Sequence, residues 1–347
     1  MNFKIVSFYF FSIILIILFI AVFTSLIYWI GKDLKNIFHK VDYIDWRIDE
    51  DIYVNYDDAN QIFLDHQKIQ NSSQSFIVYK NTPLKSKYVN VVNIKGISLR
   101  ASDLFDNNYD VWFFGGSSVF GDGVADKDTI PFIYGEITGK KTANFGVNAF
   151  TSRHQLNYFL NALLEFDKPQ SVVFFDGFND VVVNCQSSNY IPTTVKEKEW
   201  HKIKNESLSK KNSSFINFFK QPYQSIIYRI KLFNDKFYSA RELLGNGCIN
   251  DDKTLNYIKL DKIIDNYCYN HLAGQKIAKS LNVQFYSILQ PNLILSEARD
   301  DYINSSHPEG VKYLDELRSL EPLLYYFYKN VINKCNSAKF EIYDFSR

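Results

Sequence analysis

Residues Asp110 to Gly121 read Asp-Val-Trp-Phe-Phe-Gly-Gly-Ser-Ser-Val-Phe-Gly. The run Val111–Phe114 consists of β-prone apolar residues and is stopped by two glycines, which is typical of a buried strand that enters a tight turn. Ser117 lies at that turn, and a helix is predicted from about Thr129 onward. Ligands of open α/β sheets bind at the carboxyl ends of the strands. The stretch therefore places Ser117 where chemistry is expected.

Two further stretches carry glycine and small polar residues where a strand ends. Asn144–Asn148 follows an apparent second strand, and a third strand, Ser171–Asp176, runs directly into Gly177–Asp180. The carboxyl ends of neighbouring parallel strands meet at one edge of a sheet. We therefore expect the three strand ends to converge on one site.

The rest of the chain continues the alternation of strands and helices. A long helix is predicted at Leu255–Leu281 and a fourth strand at Val283–Leu289, followed by a helix at Val311–Lys334 and a fifth strand at Phe340–Phe345. Strands that alternate with helices favour a parallel sheet covered on both faces. The predicted fold is a three-layer, doubly wound α/β fold with a five-stranded parallel sheet.

The composition favours one sizeable core and gives no sign of a nucleic-acid partner. Of the 347 residues, 46% are hydrophobic, and the formal net charge is +1. A chain of this length can bury a large core, and a near-neutral charge offers no basic footprint for nucleic acid. Because no cluster of His, Cys or carboxylate residues has the spacing of a metal site, we expect neither a metal nor a cofactor.

The N-terminal region is predicted to cross a membrane. Ile5–Gly31 contains no charged side chain and exceeds the roughly 20 apolar residues that span a bilayer. Tyr28 and Trp29 are typical of an interfacial anchor rather than a cleavage site. We expect a transmembrane helix at 5–31, a juxtamembrane collar at 32–104 and the main domain at 105–347, with an insertion at 184–252.

Two observations disagree about the side of the membrane on which the body lies. Lysines that follow the span weakly favour a cytoplasmic body. In contrast, Cys185 and Cys248 flank the insertion and could be joined in an oxidising compartment. Cys268 and Cys335 are predicted in helices and are expected to be buried thiols. We expect a single-pass protein of the inner membrane with an extracytoplasmic body.

Three blocks of this sequence resemble those of the SGNH (GDSL-type) hydrolase family. Gly115–Gly121 is similar to the first block, with Gly116 in place of the commoner aspartate. Gly146 matches the glycine of the second block, and Gly177–Asp180 matches the third, Gly-x-Asn-Asp. The forms Phe-Phe-Gly-Gly-Ser-Ser, Phe-Asp-Gly-Phe-Asn-Asp and Leu-Gln-Pro look like membrane-anchored bacterial members found with surface-polysaccharide genes.

The resemblance implies a site and an activity. Ser117 would be the nucleophile, and the oxyanion hole would consist of the Ser117 and Gly146 N–H groups and the Asn179 amide. The implied function is a membrane-anchored serine esterase that acts on acyl, chiefly acetyl, esters of a surface polysaccharide through an acyl-serine intermediate. Two alternatives stay open, an O-acyltransferase that uses the same site and a catalytically inactive glycan-binding or assembly protein on the same fold.

The base that such a serine requires is not found in its expected place. Family members carry an Asp-x-x-His motif after the fifth strand, and here only two residues follow that strand. His307 has Asn304 where the aspartate belongs and is expected to be a solvated loop residue. His154 begins the helix after the second block, where a role on the helix surface is favoured. Either the motif belongs to a longer form of the protein, which we favour, or the chain uses another base or is inactive.

Overall fold

The computed structural model describes Phe23 and residues 45–49, 53–74, 77–101, 108–186, 246–250, 252–296, 310–311, 317–337 and 341–345. Apart from Phe23, these residues belong to one compact unit built from Ile44–Lys202 and Ala240–Arg347. The predicted span at 5–31 and most of the insertion at 184–252 lie outside the described residues. Among those that are described, no helix has the length and apolar character needed to cross a membrane.

From Val111 onward the described strands and helices alternate as predicted, whereas the four strands between Asn71 and Arg100 follow one another without a helix between them. The strands are β1 Asn71–Gln74, β2 Val78–Asn81, β3 Val91–Ile94, β4 Ile97–Arg100, β5 Val111–Gly115, β6 Thr142–Asn144, β7 Ser171–Asp176, β8 Gln284–Leu289 and β9 Tyr343–Asp344. The α-helices are α1 Ala59–Gln67, α2 Ser117–Phe120, α3 Ile130–Thr138, α4 Ser152–Glu165, α5 Phe178–Asn184, α6 Tyr257–Ser280 and α7 Glu321–Ser337.

The main sheet confirms the predicted α/β class and its parallel centre. Its strand order is β3-β4-β6-β5-β7-β8-β9, and neighbours from β6 to β9 are parallel. The prediction of five strands was too small, because the antiparallel hairpin β3–β4 adds two strands at one edge. Lys95 and Gly96 form its two-residue turn. Both have positive φ, as the type I′ turn common in such hairpins requires.

Alternating residues of the central strands pack into two separate hydrophobic clusters, one on each face of the sheet. On β5, Val111 and Phe113 pack in one cluster with Tyr134 of α3. Trp112 and Phe114 face the opposite side, where they share a cluster with residues of α4 and α6. A strand that is buried on both faces reads as the continuous apolar run seen in the sequence. Helices therefore cover both faces of the sheet, as predicted.

Two disulfide bonds hold the C-terminal half together. Cys185, at the end of α5, is bonded to Cys248, with Cα atoms 5.0 Å apart. Cys268 of α6 is bonded to Cys335 of α7 at a Cα separation of 5.2 Å. The interpretation of the second pair as buried thiols was therefore wrong. The reason is that the two helices pack side by side, which a pattern read along the sequence does not reveal.

The bridge between α6 and α7 is expected to contribute substantially to stability. It closes a sequence separation of 67 residues, and loss of such a crosslink typically costs about 2–4 kcal/mol. We expect Cys268→Ala combined with Cys335→Ala to lower the free energy of unfolding in urea by that amount. Thiol titration of the unfolded, unreduced wild-type protein should detect no free cysteine. Two titratable thiols in the wild type would contradict this pairing.

Candidate active site

The turn after β5 places Ser117 at the carboxyl edge of the parallel sheet. Ser117 is the first residue of α2 and is half-buried. Its carbonyl oxygen accepts hydrogen bonds from the N–H groups of Gly121, at 2.8 Å, and Asp122, at 3.0 Å. Its hydroxyl has no hydrogen-bond partner in the described part of the chain. The backbone of this serine is therefore fixed while its hydroxyl is available.

The side chain of Asn179 lies directly beside this turn. Asn179 is the second residue of α5, after β7, and its Nδ2 donates to the carbonyl oxygen of Phe150 at 3.0 Å. A Cβ atom built on Gly116 would lie 2.3 Å from that Nδ2. A side chain at position 116 would therefore require the amide to shift. The structure thus places the Asn179 amide beside the residue that precedes Ser117.

The N–H group of Gly146 is engaged within the protein. It donates to Oδ1 of Asn144 at 2.9 Å. A Cβ on Gly146 would lie 2.2 Å from the backbone nitrogen of Phe120, so this glycine lets the end of β6 pack against α2. The structure thus shows Gly146 in close packing against α2, and its role as an oxyanion donor stays a prediction.

A tight turn after Gly146 contains a residue that the sequence did not single out. The N–H of Val147 donates to the oxygen of Gly115 at 3.1 Å, and the N–H of Phe150 donates back to Val147. Between them Ala149 is half-buried with φ of 62°, a left-handed conformation that costs a non-glycine residue about 1–2 kcal/mol. Within the described residues, the Ala149 N–H has no acceptor. Such strain is common at functional sites.

A buried carboxylate ties the turn to the helix that carries Asn179. Asp180 accepts hydrogen bonds from the N–H of Ser152 at 3.1 Å and from its hydroxyl at 2.6 Å. Burial, together with the nearby negative charge of Asp176, raises the pKa of Asp180 well above its usual range. With the Asn179–Phe150 contact, this gives two links between the segments that follow β6 and β7.

A second buried hydrogen-bond network joins His271, Asp176 and Ser287. Nε2 of His271 lies 3.1 Å from both carboxylate oxygens of Asp176, and Nδ1 lies 2.6 Å from the hydroxyl of Ser287. With the ring proton on Nε2, the histidine donates to the aspartate and accepts from the serine. The three side chains are at most 1% exposed, so substrate does not reach them in this conformation. The sequence offered no supporting context for His271, because its partners lie on β7 and β8.

The described histidines are engaged away from the Ser117 hydroxyl. His154 is 3% exposed, and its Nδ1 caps the start of α4 at Thr151, so the expectation of a helix-surface residue was wrong. Nε2 of His66 accepts from the N–H of Gly123, and its Nδ1 faces Asp122 at 3.4 Å. His271 is held as described above. His307 lies outside the described residues, so its candidacy stays a prediction.

Comparisons with known proteins give distant structural likenesses. No protein-family model matches the chain, and no curated protein matches it. Among solved structures, it is similar to a protein assigned to the lipolytic G-D-S-L family from Desulfitobacterium hafniense DCB-2. The two share 15% identity at a TM-score of 0.23, over 62% of this chain and 99% of the other. At so low a TM-score we draw neither fold nor function from the likeness.

The close approach at Gly116 can be tested by a single methyl group. We expect Gly116→Ala to displace the Asn179 amide and, under the ester-hydrolase function proposed below, to lower turnover by about 10²-fold, close to the loss of one oxyanion donor. The contact is with the end of a side chain, so stability should change by less than about 1 kcal/mol. Combining it with Asn179→Ala should add no further loss, because the displaced group is gone. Additive losses in the double variant would show that the methyl group acts elsewhere.

Proposed function

We propose that this protein is a serine ester hydrolase with Ser117 as its nucleophile. The observation that carries the proposal is the position of Asn179 Nδ2 beside Gly116, the residue before Ser117. Ser117 is half-buried, and its hydroxyl makes no hydrogen bond within the described residues. Acyl transfer requires a nucleophile together with fixed donors for the oxyanion that forms when an ester carbonyl is attacked. At the carboxyl edge of the sheet, Ser117 is the proposed nucleophile and the Asn179 amide is one of the proposed donors.

In the proposed reaction, Ser117 Oγ attacks the ester carbonyl and loses its proton to a base. The negative charge on the carbonyl oxygen is received by the Ser117 N–H, the Asn179 amide and, in place of Gly146, the Ala149 N–H. Collapse of this intermediate releases the alcohol and leaves an acyl-serine, which water hydrolyses. Because the described histidines are engaged elsewhere, we propose that the base comes from outside the described residues, where His307 lies.

The proposed substrate is an acetyl or other acyl ester of a surface polysaccharide, and the proposed location is the outer side of the inner membrane. Two features support the location. The uncharged run Ile5–Gly31 is long enough to span a bilayer. The disulfides Cys185–Cys248 and Cys268–Cys335 are of a kind that persists in oxidising compartments. The polysaccharide itself rests on the resemblance of the sequence blocks alone.

A second candidate is a non-catalytic glycan-binding or assembly protein on the same fold. The observation in its favour is that His66, His154 and His271 each contact groups other than Ser117. A serine without a base is a poor nucleophile. Against this candidate stands the presence of Ser117, with the Asn179 amide beside the residue that precedes it.

Acetate release from an O-acetylated polysaccharide separates these candidates. We expect the wild-type protein to release free acetate and Ser117→Ala to release none above the uncatalysed rate. Acetate that appears instead on an added acceptor glycan would identify transfer rather than hydrolysis. Equal release by wild type and Ser117→Ala, or binding of the glycan without any release, would overturn the hydrolase assignment.

A further inference from the structure

A large cavity lies away from the candidate active site, at the edge hairpin of the sheet. Its volume is about 1090 Å³, and it lies between the strand β3, the segment that precedes it and the turn at Asp126–Lys127. Ser117, Ala149 and Asn179 do not line it. Small-molecule sites are typically about 300–1,000 Å³, so this cavity has room for more than one ring of a ligand.

The cavity is positively charged in a protein that is nearly neutral. Lys85, Lys87 and Lys127 line it with exposed side chains, whereas the net charge of the whole chain is only +1. An ordinary lysine is charged at neutral pH, and a side-chain hydrogen bond with Tyr88 raises the pKa of Lys87 further. Its nitrogen lies 4.6 Å from the centre of the Tyr88 ring. Three cations are therefore gathered at one concave surface.

The acidic group among the described lining residues does not cancel this charge. Asp126 is bound by Arg100, whose Nε donates to Oδ1 at 2.9 Å. Asn90 also donates to this carboxylate through its N–H and its Nδ2. Because a guanidinium group and an amide already bind Asp126, this carboxylate is not available to pair with the three lysines. The exposed carboxylates of Asp57 and Asp58 act on Lys87 but do not line the cavity.

Apolar and amide groups complete the lining. Leu84, Tyr88 and Phe132 supply aliphatic and aromatic surface, and Asn93 is exposed at the rim. Oδ1 of Asn93 accepts from the N–H of Gly96 at 2.9 Å, which directs its Nδ2 group away from the hairpin turn. A ligand that fits must combine negative charge with hydroxyl groups and flat apolar faces. Sugar rings that carry carboxylates have this combination.

We propose that this cavity binds an acidic oligosaccharide, a chain of sugar rings that bear carboxylate groups. The lysines neutralise the carboxylates, the aromatic and aliphatic side chains contact the ring faces, and Asn93 hydrogen-bonds to hydroxyls. Phosphate on a lipid surface would also attract lysines, but it would not use the apolar side chains of a concave lining. The proposal does not depend on Ser117, so it stands or falls separately from the esterase assignment.

Binding of a uronic-acid oligomer, measured by calorimetry on the full chain, tests the proposal. We expect binding to the wild type that weakens as salt is raised from about 0.05 to 0.5 M, because the contacts are exposed charges. The triple variant Lys85→Gln, Lys87→Gln, Lys127→Gln should bind about tenfold more weakly or worse, as three charge-assisted contacts are lost. A neutral oligosaccharide of equal length should bind much less tightly than the acidic one.

The matched control removes the same charge elsewhere. Lys276, Lys279 and Lys329 are exposed and do not line the cavity, so their triple replacement by Gln should leave binding unchanged. An equal loss in both triple variants would show a non-specific charge effect and overturn the proposal. So would the absence of binding to the oligomer, or preferential binding to vesicles of anionic phospholipid. Hydrolysis of a small acetyl ester should be the same in all three proteins.

Discussion

Replacing Asn179 by alanine is expected to lower turnover of an ester substrate by about 10²–10³-fold while the protein stays folded. The Asn179 amide lies beside Gly116 and is proposed to donate to the oxyanion, a contact that is strongest in the transition state. Loss of such a contact lowers kcat and kcat/KM together and leaves KM nearly unchanged. The lost hydrogen bond to Phe150 should reduce stability by only about 1 kcal/mol.

A neighbouring asparagine provides the matched control for this experiment. Asn184 lies on the same helix, and its Nδ2 donates to the Asp180 carbonyl oxygen at 2.7 Å. Asn184→Ala removes an equivalent amide-to-carbonyl hydrogen bond but is not placed at the oxyanion. Its kcat should remain within about twofold of the wild type, in line with ordinary surface or structural changes. Equal turnover in wild type and Asn179→Ala would remove Asn179 from the proposed site.

Replacing Arg100 by methionine is expected to destabilise the fold by about 3–5 kcal/mol, the usual cost of breaking a buried charged pair. The Arg100 guanidinium is fully buried and pairs with Asp126 at 2.9 Å. It also donates to the carbonyl oxygens of Phe120 at 2.6 Å, of Val124 at 2.5 Å and of Gly121. Removal takes a charged donor from each of these carbonyl groups, which lie at and just after the end of the helix that begins with Ser117. Within the described residues, only the carbonyl of Gly121 keeps a backbone donor, the N–H of Val124 at 3.3 Å.

Arg47 offers a comparison in which the same kind of pair is exposed. Its guanidinium binds Asp45 at 2.8 Å, but the arginine side chain is 39% exposed. An exposed ion pair contributes about 0–1 kcal/mol, so Arg47→Met should lower the free energy of unfolding by no more than that. Urea unfolding of both variants measures the difference. A loss below about 1 kcal/mol in Arg100→Met would show that this side chain does not organise the segment after Ser117.

The sequence predicted those parts of the fold whose signals are local. The continuous apolar runs at β5 and β7 could only be strands buried on both faces, and Thr129 followed by Pro131 marked the start of α3. The extension of the sheet by β3–β4 was not predicted, since it depends on an antiparallel pairing of Arg100 with Asn144 across a long separation. The last strand is also shorter than predicted, because only Tyr343–Asp344 pair with β8.

The residues of the candidate site likewise divide into those that the sequence pointed to and those that only the structure reveals. Ser117 was singled out from a glycine-bounded strand end, which is a local pattern, whereas Asn179 and Gly146 were assigned through the resemblance to the SGNH blocks. The left-handed position in the turn after Gly146 is held by Ala149, and without a glycine there the sequence carried no signal for it. The contact between His271 and Asp176 joins residues 95 positions apart, so no pattern read along the chain could reveal it.

The most direct test of the central claim, that Ser117 is an activated nucleophile, is covalent labelling with a fluorophosphonate probe. The neighbouring Ser118 is also half-buried and supplies a matched control. We predict that the wild type and Ser118→Ala react with the probe, that Ser117→Ala does not, and that mass spectrometry places the adduct on Ser117. Labelling of Ser117→Ala at the wild-type rate, or a folded wild-type protein that does not react, would contradict the account.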